Sequence, residues 1–396
     1  MIRHLFTLIW NRRRANFLLV TEIFLAFVVL FIVGSTLVYY RQTYQAPLGF
    51  DYEQVWTVNL DNGSTPQTRV QLMTTGQQIL QRLQSLPGVR YAALMASNTP
   101  FSDSQNSTEP SREPKGHGPN CNIYVVSEGM RDVLRLPLRA GRWFDKRDEA
   151  SSRRAVVISE EMRATLFPDQ SAVGQTLYSG GGRELQVVGV TGPFRGDGDL
   201  SEPKPAFFAY ASPPDTTLMY LNCLLVRVSP DAGAELEKRM STEIMAIGKG
   251  WTSSITPLAE QRAKQLQTGL APLVALVLVC LFLIVNVALG LFGVLWQTIS
   301  QRRAEIGVRR AMGATAGAVS GQVVGEILVV ATFGLVLGLL VAAQFPLLGV
   351  LDVPAGVYLT AMGLAAALIY GHTVLCALYP SRLAAGIHPA VALREE

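Results

Sequence analysis

The sequence predicts an α-helical membrane protein with four transmembrane helices, arranged one plus three, carrying an extracytoplasmic α+β domain. Three observations lead there. Residues 17–40, 271–296, 323–345 and 357–379 are apolar runs, each long enough to cross a bilayer as a helix. The 230 residues between the first two runs, 41–270, have an ordinary globular composition. The chain is 49% hydrophobic, and the four runs account for the excess. Finally, the basic residues fall on alternate sides of the runs, as the positive-inside rule requires.

The charges set the orientation. Residues 1–16 carry Arg3, Arg12, Arg13 and Arg14 and no acid. The loop 297–322 carries Arg302, Arg303, Arg309 and Arg310 against Glu305. The short loop 346–356 has no Lys or Arg, and the tail 380–396 carries Arg382 and Arg394. Both termini and the loop 297–322 are therefore expected in the cytoplasm, with 41–270 outside. The net charge of +4 is then mostly a topology signal, without the concentrated basic patch that nucleic acid needs. Within residues 1–16, Ile2, Leu5, Phe6, Ile9 and Trp10 share one face, which predicts an interfacial amphipathic helix. Run 17–40 ends in Val38, Tyr39 and Tyr40 rather than small residues, and reads as an uncleaved anchor.

The external domain alternates strand and helix patterns. Strands are expected at 55–60 and 89–96 around a helix at 66–85, and at 223–229 and 251–258 around a helix at 231–247. Two such β-α-β units make a split ferredoxin-like subdomain over 52–98 and 206–258. Between them, after a turn-rich stretch at 97–120, strand signals at 122–126, 155–159 and 185–190 with two short helices predict a second, inserted subdomain over about 120–200. Gly180, Gly181 and Gly182 read as a hairpin connection, and Trp143 and Phe144 as core. The polar helical stretch 259–270 runs straight into the second span, which would make a stiff link.

Catalytic chemistry finds no support. Gly248-Lys249 is followed by Gly250, so a phosphate-binding P-loop is missing. His4, His117, His372 and His388 are scattered, without metal-ligand spacing. Cys280 and Cys376 lie in spans. Cys121 and Cys223 lie in the external domain, either bonded or separately buried. Glu22, Glu326 and His372 are polar groups in apolar runs, suited to structural pairing or to a functional role. Gly321 with Gly325, and Gly334 with Gly338, are small-xxx-small pairs on the third span, suited to sliding or dimerising helices or to packing within the chain.

The most distinctive segment is RRAEIGVRRAMG, residues Arg302, Arg303, Ala304, Glu305, Ile306, Gly307, Val308, Arg309, Arg310, Ala311, Met312 and Gly313. As a helix it gathers Ala304, Gly307, Val308, Ala311 and Met312 on one small, smooth face, framed by Arg302, Arg309 and Glu305. Such a face could seat in a groove on another protein, or the segment could serve only as a basic topology signal.

This run resembles the signature loop of the MacB/FtsX-like ABC transporter permeases, the type VII mechanotransmission class. Residues 124–150, 155–177 and 185–190 resemble that family's periplasmic core domain, 52–98 and 206–258 its porter-like subdomain. The small residues of the third span match its pattern. In the tail, YPSRLAAGIHPAVALREE resembles the closing motif, in which Pro380 ends the last helix and His388-Pro389 precedes Ala-Leu-Arg. The resemblance covers nearly the whole chain. It implies a bacterial inner-membrane subunit with no catalytic, cofactor or metal site of its own, coupled through 302–313 to a separate cytoplasmic ABC ATPase that binds ATP and Mg. It further implies a dimer with a second copy or paralogue, and leaves room for a periplasmic adaptor and an outer-membrane channel. The expected activity is efflux or extraction of a substrate from the periplasmic side. The alternatives are a mechanotransmission regulator of a cell-wall hydrolase, a signalling receptor, or a membrane-anchored enzyme.

Overall fold

A computed structural model of the chain describes residues 13–63, 67–180, 182–211, 221–350 and 353–385. The expected helix over 1–16 and the tail beyond 385 lie largely outside them. Two compact units emerge, residues 43–269 and residues 1–42 with 270–396.

In chain order the elements are α1 (Arg13–Gln45), β1 (Val55–Asp61), α2 (Arg69–Gln84), β2 (Val89–Met95), β3 (Ser107–Thr108), β4 (Cys121–Val126), α3 (Met130–Leu134), β5 (Leu138–Gly141), β6 (Arg154–Ile158), α4 (Glu160–Leu166), β7 (Thr176–Ser179), β8 (Arg183–Thr191), β9 (Ala206–Tyr210), β10 (Cys223–Val228), α5 (Ala234–Ile247), β11 (Thr252–Pro257), α6 (Leu258–Gln301), α7 (Arg303–Ala311), α8 (Ala316–Ala342), α9 (Gln344–Leu348) and α10 (Ala355–Ala385).

The α/β unit is built on one sheet in the order β11-β1-β10-β2-β4-β9-β6-β8-β5, with β3 on β4 and β7 on β8. Its first four strands pair antiparallel. With crossover helices α2 and α5, that is the ferredoxin-like arrangement expected from the two β-α-β units. The inserted part does not form a separate sheet, because β2 and β4 join edge to edge through one pair, Met95 opposite Val126. Strand β9 falls in the stretch expected to belong with the ferredoxin-like half, yet it pairs parallel with β4 and antiparallel with β6. An all-apolar strand needs neighbours on both edges and cover on both faces, and only the inserted half provides them.

The period-2 alternation of strands decides the two cores. Leu224, Val226 and Val228 of β10 face one cluster, covered by Ile79 and Leu83 of α2 and Leu236, Met240 and Ile244 of α5. Cys223 and Leu225 face the other, covered by Met130, Val133 and Leu134 of α3 and the aromatic residues Phe101, Trp143, Phe144 and Phe194. A capping box of Thr68 and Gln71 starts α2, and Arg82 ties it to Glu243 of α5 at 2.8 and 2.7 Å. Trp143 and Phe144 are core residues, as expected. Cys121 and Cys223 are not bonded. Each thiol is buried, which pushes it up to about 12, and each donates a hydrogen bond, to Thr108 O at 3.3 Å and Asn59 Oδ1 at 2.9 Å. These are packing cysteines, not reactive ones.

Four helices, Phe17–Gln45, Leu258–Gln301, Ala316–Leu348 and Ala355–Ala384, are long and apolar enough to span a membrane, and all but their ends at 43–45 and 258–269 lie in the other unit. Leu19, Ile23, Phe27 and Phe31 of α1 form its buried spine, against Val287 and Leu291 of α6, Ala331 and Leu335 of α8, and Ala361 and Ala365 of α10. Pro380 does not end the last helix, which continues to Ala385. Pro forfeits one backbone hydrogen bond but still permits helical φ, and Ser381 beside it is held by a hydroxyl contact of 2.9 Å with Ser320.

The two glycine pairs of α8 part company. A Cβ on Gly334 would lie 2.9 Å from both Ile23 Cγ2 and Val20 O, and one on Gly338 would collide with the Phe27 ring. Gly321 and Gly325 meet nothing within 4 Å. Gly338→Leu is therefore expected to cost about 1–3 kcal/mol by overpacking α1 against α8. Gly321→Leu should stay within about 0.5 kcal/mol. Equilibrium unfolding in mixed detergent micelles checks both, and equal destabilisation would contradict this helix pairing.

Candidate coupling site

The segment 302–313 is a short helix, α7, between two long ones. Ile306 fixes how it lies. That side chain is buried in a small apolar cluster with Ile299 of α6, Val319 of α8 and Ala384 of α10, a burial worth roughly 1.5–3 kcal/mol. Arg302 adds an ionic pin, its Nη1 donating to both Glu326 oxygens at 3.0 and 2.9 Å. Glu326 also accepts from Gln322 Nε2 at 3.0 Å. Gln322 in turn accepts from Arg309 at 2.7 Å, and Arg309 pairs with Glu305 one turn back at 2.5 Å. Arg310 donates to Ala314 O at 3.2 Å, closing the turn into α8, whose first turn is capped by Thr315.

This corrects the expected face. Gly307 is buried beside Ile306 and is not part of an open surface. Ala304, Val308, Ala311 and Met312 remain exposed. Burial of Ile306, the largest aliphatic side chain of so short a helix, sets which way it faces, and the adjacent Gly307 is carried inward too. What is left outward is an Ala304–Val308–Ala311 stripe at helical spacing, with Met312 at its end 77% exposed.

The other groups singled out in the spans resolve separately. Glu326 is the partner of Arg302. His372 Nε2 lies 3.6 Å from Cys376 Sγ, one turn along the same helix. Glu22 has no ion pair among the described residues, and its carboxylate covers Gly290, where a Cβ would lie 2.5 Å from Oε2.

The stretch 259–270 runs into the second span as expected, but the grip on it escaped the sequence reading. Helix α6 is unbroken over 44 residues, about 65 Å, and the α/β unit grips its first turns. Arg262 Nε and Nη2 donate to the two Asp199 oxygens at 2.8 Å each. The same guanidinium stacks 4.6 Å above the Tyr52 ring. Gln265 Nε2 donates to Asp197 O at 3.1 Å, and Thr57 Oγ1 to Gln261 Oε1 at 3.3 Å. Arg195, 1% exposed, braces the Asp199 loop by donating to Ser201 O, Ala46 O and Asp199 O at 3.0, 2.6 and 2.6 Å. Gly198 leaves room for Gln265, with φ +93. The only signal for this clamp was a pair of opposite charges in two polar stretches 63 residues apart, which no local pattern connects.

Comparison with known proteins places these features. The profile of the MacB-like periplasmic core domain matches residues 23–242, and that of the FtsX-like permease C-terminal region matches 276–389. The macrolide export ATP-binding/permease protein MacB 1/2 of Paracoccus denitrificans is 29% identical over 236 residues, covering 58% of this chain and 34% of that protein. The MacB of Campylobacter jejuni (serotype O:23/36) is 23% identical over 337 residues, covering 79% and 49%. The chain thus spans between a third and a half of the length of these relatives. The crystal structure of the periplasmic region of MacB from Actinobacillus actinomycetemcomitans aligns over 56% of this chain and 97% of its own, at 15% identity and a TM-score of 0.40. With both profiles in sequence order and four membrane-length helices, the chain belongs to the MacB/FtsX-like family of ABC transporter permeases.

Proposed function

We propose that this chain is the membrane subunit of an ABC system that works with a separate cytoplasmic ATPase, which binds ATP and Mg and seats against α7. The observation that carries the reading is the outward Ala304–Val308–Ala311 stripe. It is small and smooth, and it stands on a helix pinned from behind by Ile306 and Arg302, so a push on it is delivered to α6 and α8. Nucleotide-driven closure of the ATPase would shift these helices. Helix α6, gripped by Asp199, would carry the shift to the α/β domain on the opposite side of the membrane. Two copies, or a copy and a paralogue, would act together to expel or extract a substrate, with an adaptor and an outer-membrane channel as further partners.

Copurification from native membranes tests the assignment: an ABC ATPase should accompany the chain. ATP hydrolysis should appear with the ATPase and be absent from the chain alone. Hydrolysis by the isolated chain would refute the division of labour.

Orientation has its own test. In intact cells, a membrane-impermeant thiol reagent should label Gly180→Cys, an exposed position with nothing within 4 Å of its Cβ. It should not reach Met312→Cys until the membrane is opened. The reverse pattern would invert the topology and end the proposal.

A further inference from the structure

We infer that a crevice between α1 and the α8–α10 hairpin binds one acyl chain of a bilayer phospholipid. Such a site needs only the membrane-spanning helices, so it stands or falls apart from ATPase coupling.

The crevice encloses about 300 Å³, near the lower end of ligand pockets, which range over about 300–1,000 Å³. Phe31 of α1, Phe345 of α9 and Tyr358 of α10 form its back wall. Their ring centroids lie 5.3, 6.0 and 5.9 Å apart. Phe31 and Tyr358 are buried. Buried rings in mutual contact are stiff, so the hollow is preformed. Toward the bilayer, Ile32 is 43% exposed and Thr36, Tyr39 and Val353 are half-buried, which leaves a lateral mouth. Counted from Phe17, residues 31–39 lie about 21–33 Å along α1 by helical rise. That is the far half of a hydrocarbon core about 30 Å thick.

The hydroxyl groups of the lining are already engaged. Ser35 Oγ donates to Phe31 O at 2.7 Å, Thr36 Oγ1 to Ile32 O at 3.0 Å and Tyr358 Oη to Val350 O at 2.7 Å. With those three protons spent, a polar ligand gains no donor there, and an apolar hollow does not hold water. Left empty, its walls forfeit dispersion contacts. At this depth the bilayer supplies hydrocarbon chains in excess, and a flexible chain can follow an irregular hollow. A helix of a second copy, about 10–12 Å across, is too wide to enter and could reach in only with single side chains. A seated acyl chain therefore completes the packing of α1 against the hairpin, at the end of the buried spine that Phe31 belongs to.

The test uses the full chain, without ATPase or nucleotide, in phosphatidylcholine liposomes. A small share of the lipid carries a diazirine midway along one acyl chain. After irradiation, adducts are mapped by peptide mass spectrometry. They should concentrate on Ile32, Tyr39, Phe345 and Val353, at least about fivefold over Leu278 and Leu281 of α6, although those two leucines are more exposed than any of the four. Thr36→Phe places a ring in the hollow and should bring all four positions down to the α6 level. Ser35→Leu fills the same space from the neighbouring residue and serves if the first variant is unstable. A cooperative unfolding transition in detergent confirms that each variant is folded. Adducts spread over α1 and α6 in proportion to exposure would mean ordinary annular lipid and overturn the inference. An unlabelled crevice beside a labelled α6 would mean that protein covers it, as a second copy could, and would overturn it too. So would undiminished labelling of a folded, filled variant.

Discussion

Ala311→Trp is expected to leave the membrane unit folded and strip it of its ATPase. Ala311 is exposed on the outward stripe of α7, on the side away from the buried Ile306, so among the described residues the indole is directed away from the packed side of the helix. Seated in a partner's groove, the same ring would overpack the contact at a cost of about 1–3 kcal/mol, roughly a tenfold or larger loss of affinity. Pull-down of the ATPase with the variant, beside its unfolding midpoint in detergent, separates the two effects. Gly307→Trp makes the contrast, because it drives the ring into the buried side of α7 and should lower the midpoint with or without a partner. If Ala311→Trp retains its ATPase in full, the stripe is not the contact.

Asp199→Ala is expected to be the most damaging single change in the α/β domain. It removes both carboxylate acceptors of the Arg262 guanidinium, leaving the Tyr52 hydroxyl as its remaining side-chain acceptor, and leaves a largely buried cation without its counter-ion, at about 3 kcal/mol. For a unit of this size that corresponds to a fall of roughly 6–12 °C in melting temperature. Replacing both partners, Asp199→Leu with Arg262→Met, should restore most of it, since well-packed apolar residues can substitute for a buried ion pair. Differential scanning calorimetry of the three variants checks this. If the double variant melts no higher than Asp199→Ala, the ion pair is not the source of the loss.

Much of the fold was legible because its signals are local. The four spans and the β-α-β units depend only on the pattern of neighbouring residues. What was illegible depends on which surfaces meet. Strand β9, AFFAY, is a short run bounded by Pro205 and a turn-rich stretch, and nothing in it says that its neighbours are β4 and β6 rather than the strands nearer in sequence. The face of α7 was misjudged for the same reason. A helical wheel groups the small residues, but only the positions of Val319 and Ala384 reveal that Ile306 turns inward and takes Gly307 with it. Gly321 and Gly334 look alike in sequence, yet only one of them lies under α1. The Arg262–Asp199 clamp joins two unremarkable polar stretches, and a single chain offers no cue that pairs them.

The junction at Met95 has a consequence for how such a domain can change over generations. The chain leaves the ferredoxin-like half after β2 and re-enters it at β10, and Met95 and Cys223 at those two points are direct cross-strand partners. Everything between them could be excised and the gap bridged by a tight turn without altering the strand order of the remaining four. A shortened descendant would keep β11 leading into α6, but it would have deleted Asp199 and left Arg262 without its counter-ion. Loss or exchange of the inserted half is therefore tied to compensating substitution at the top of α6, and the two should appear in lineages as one inherited module.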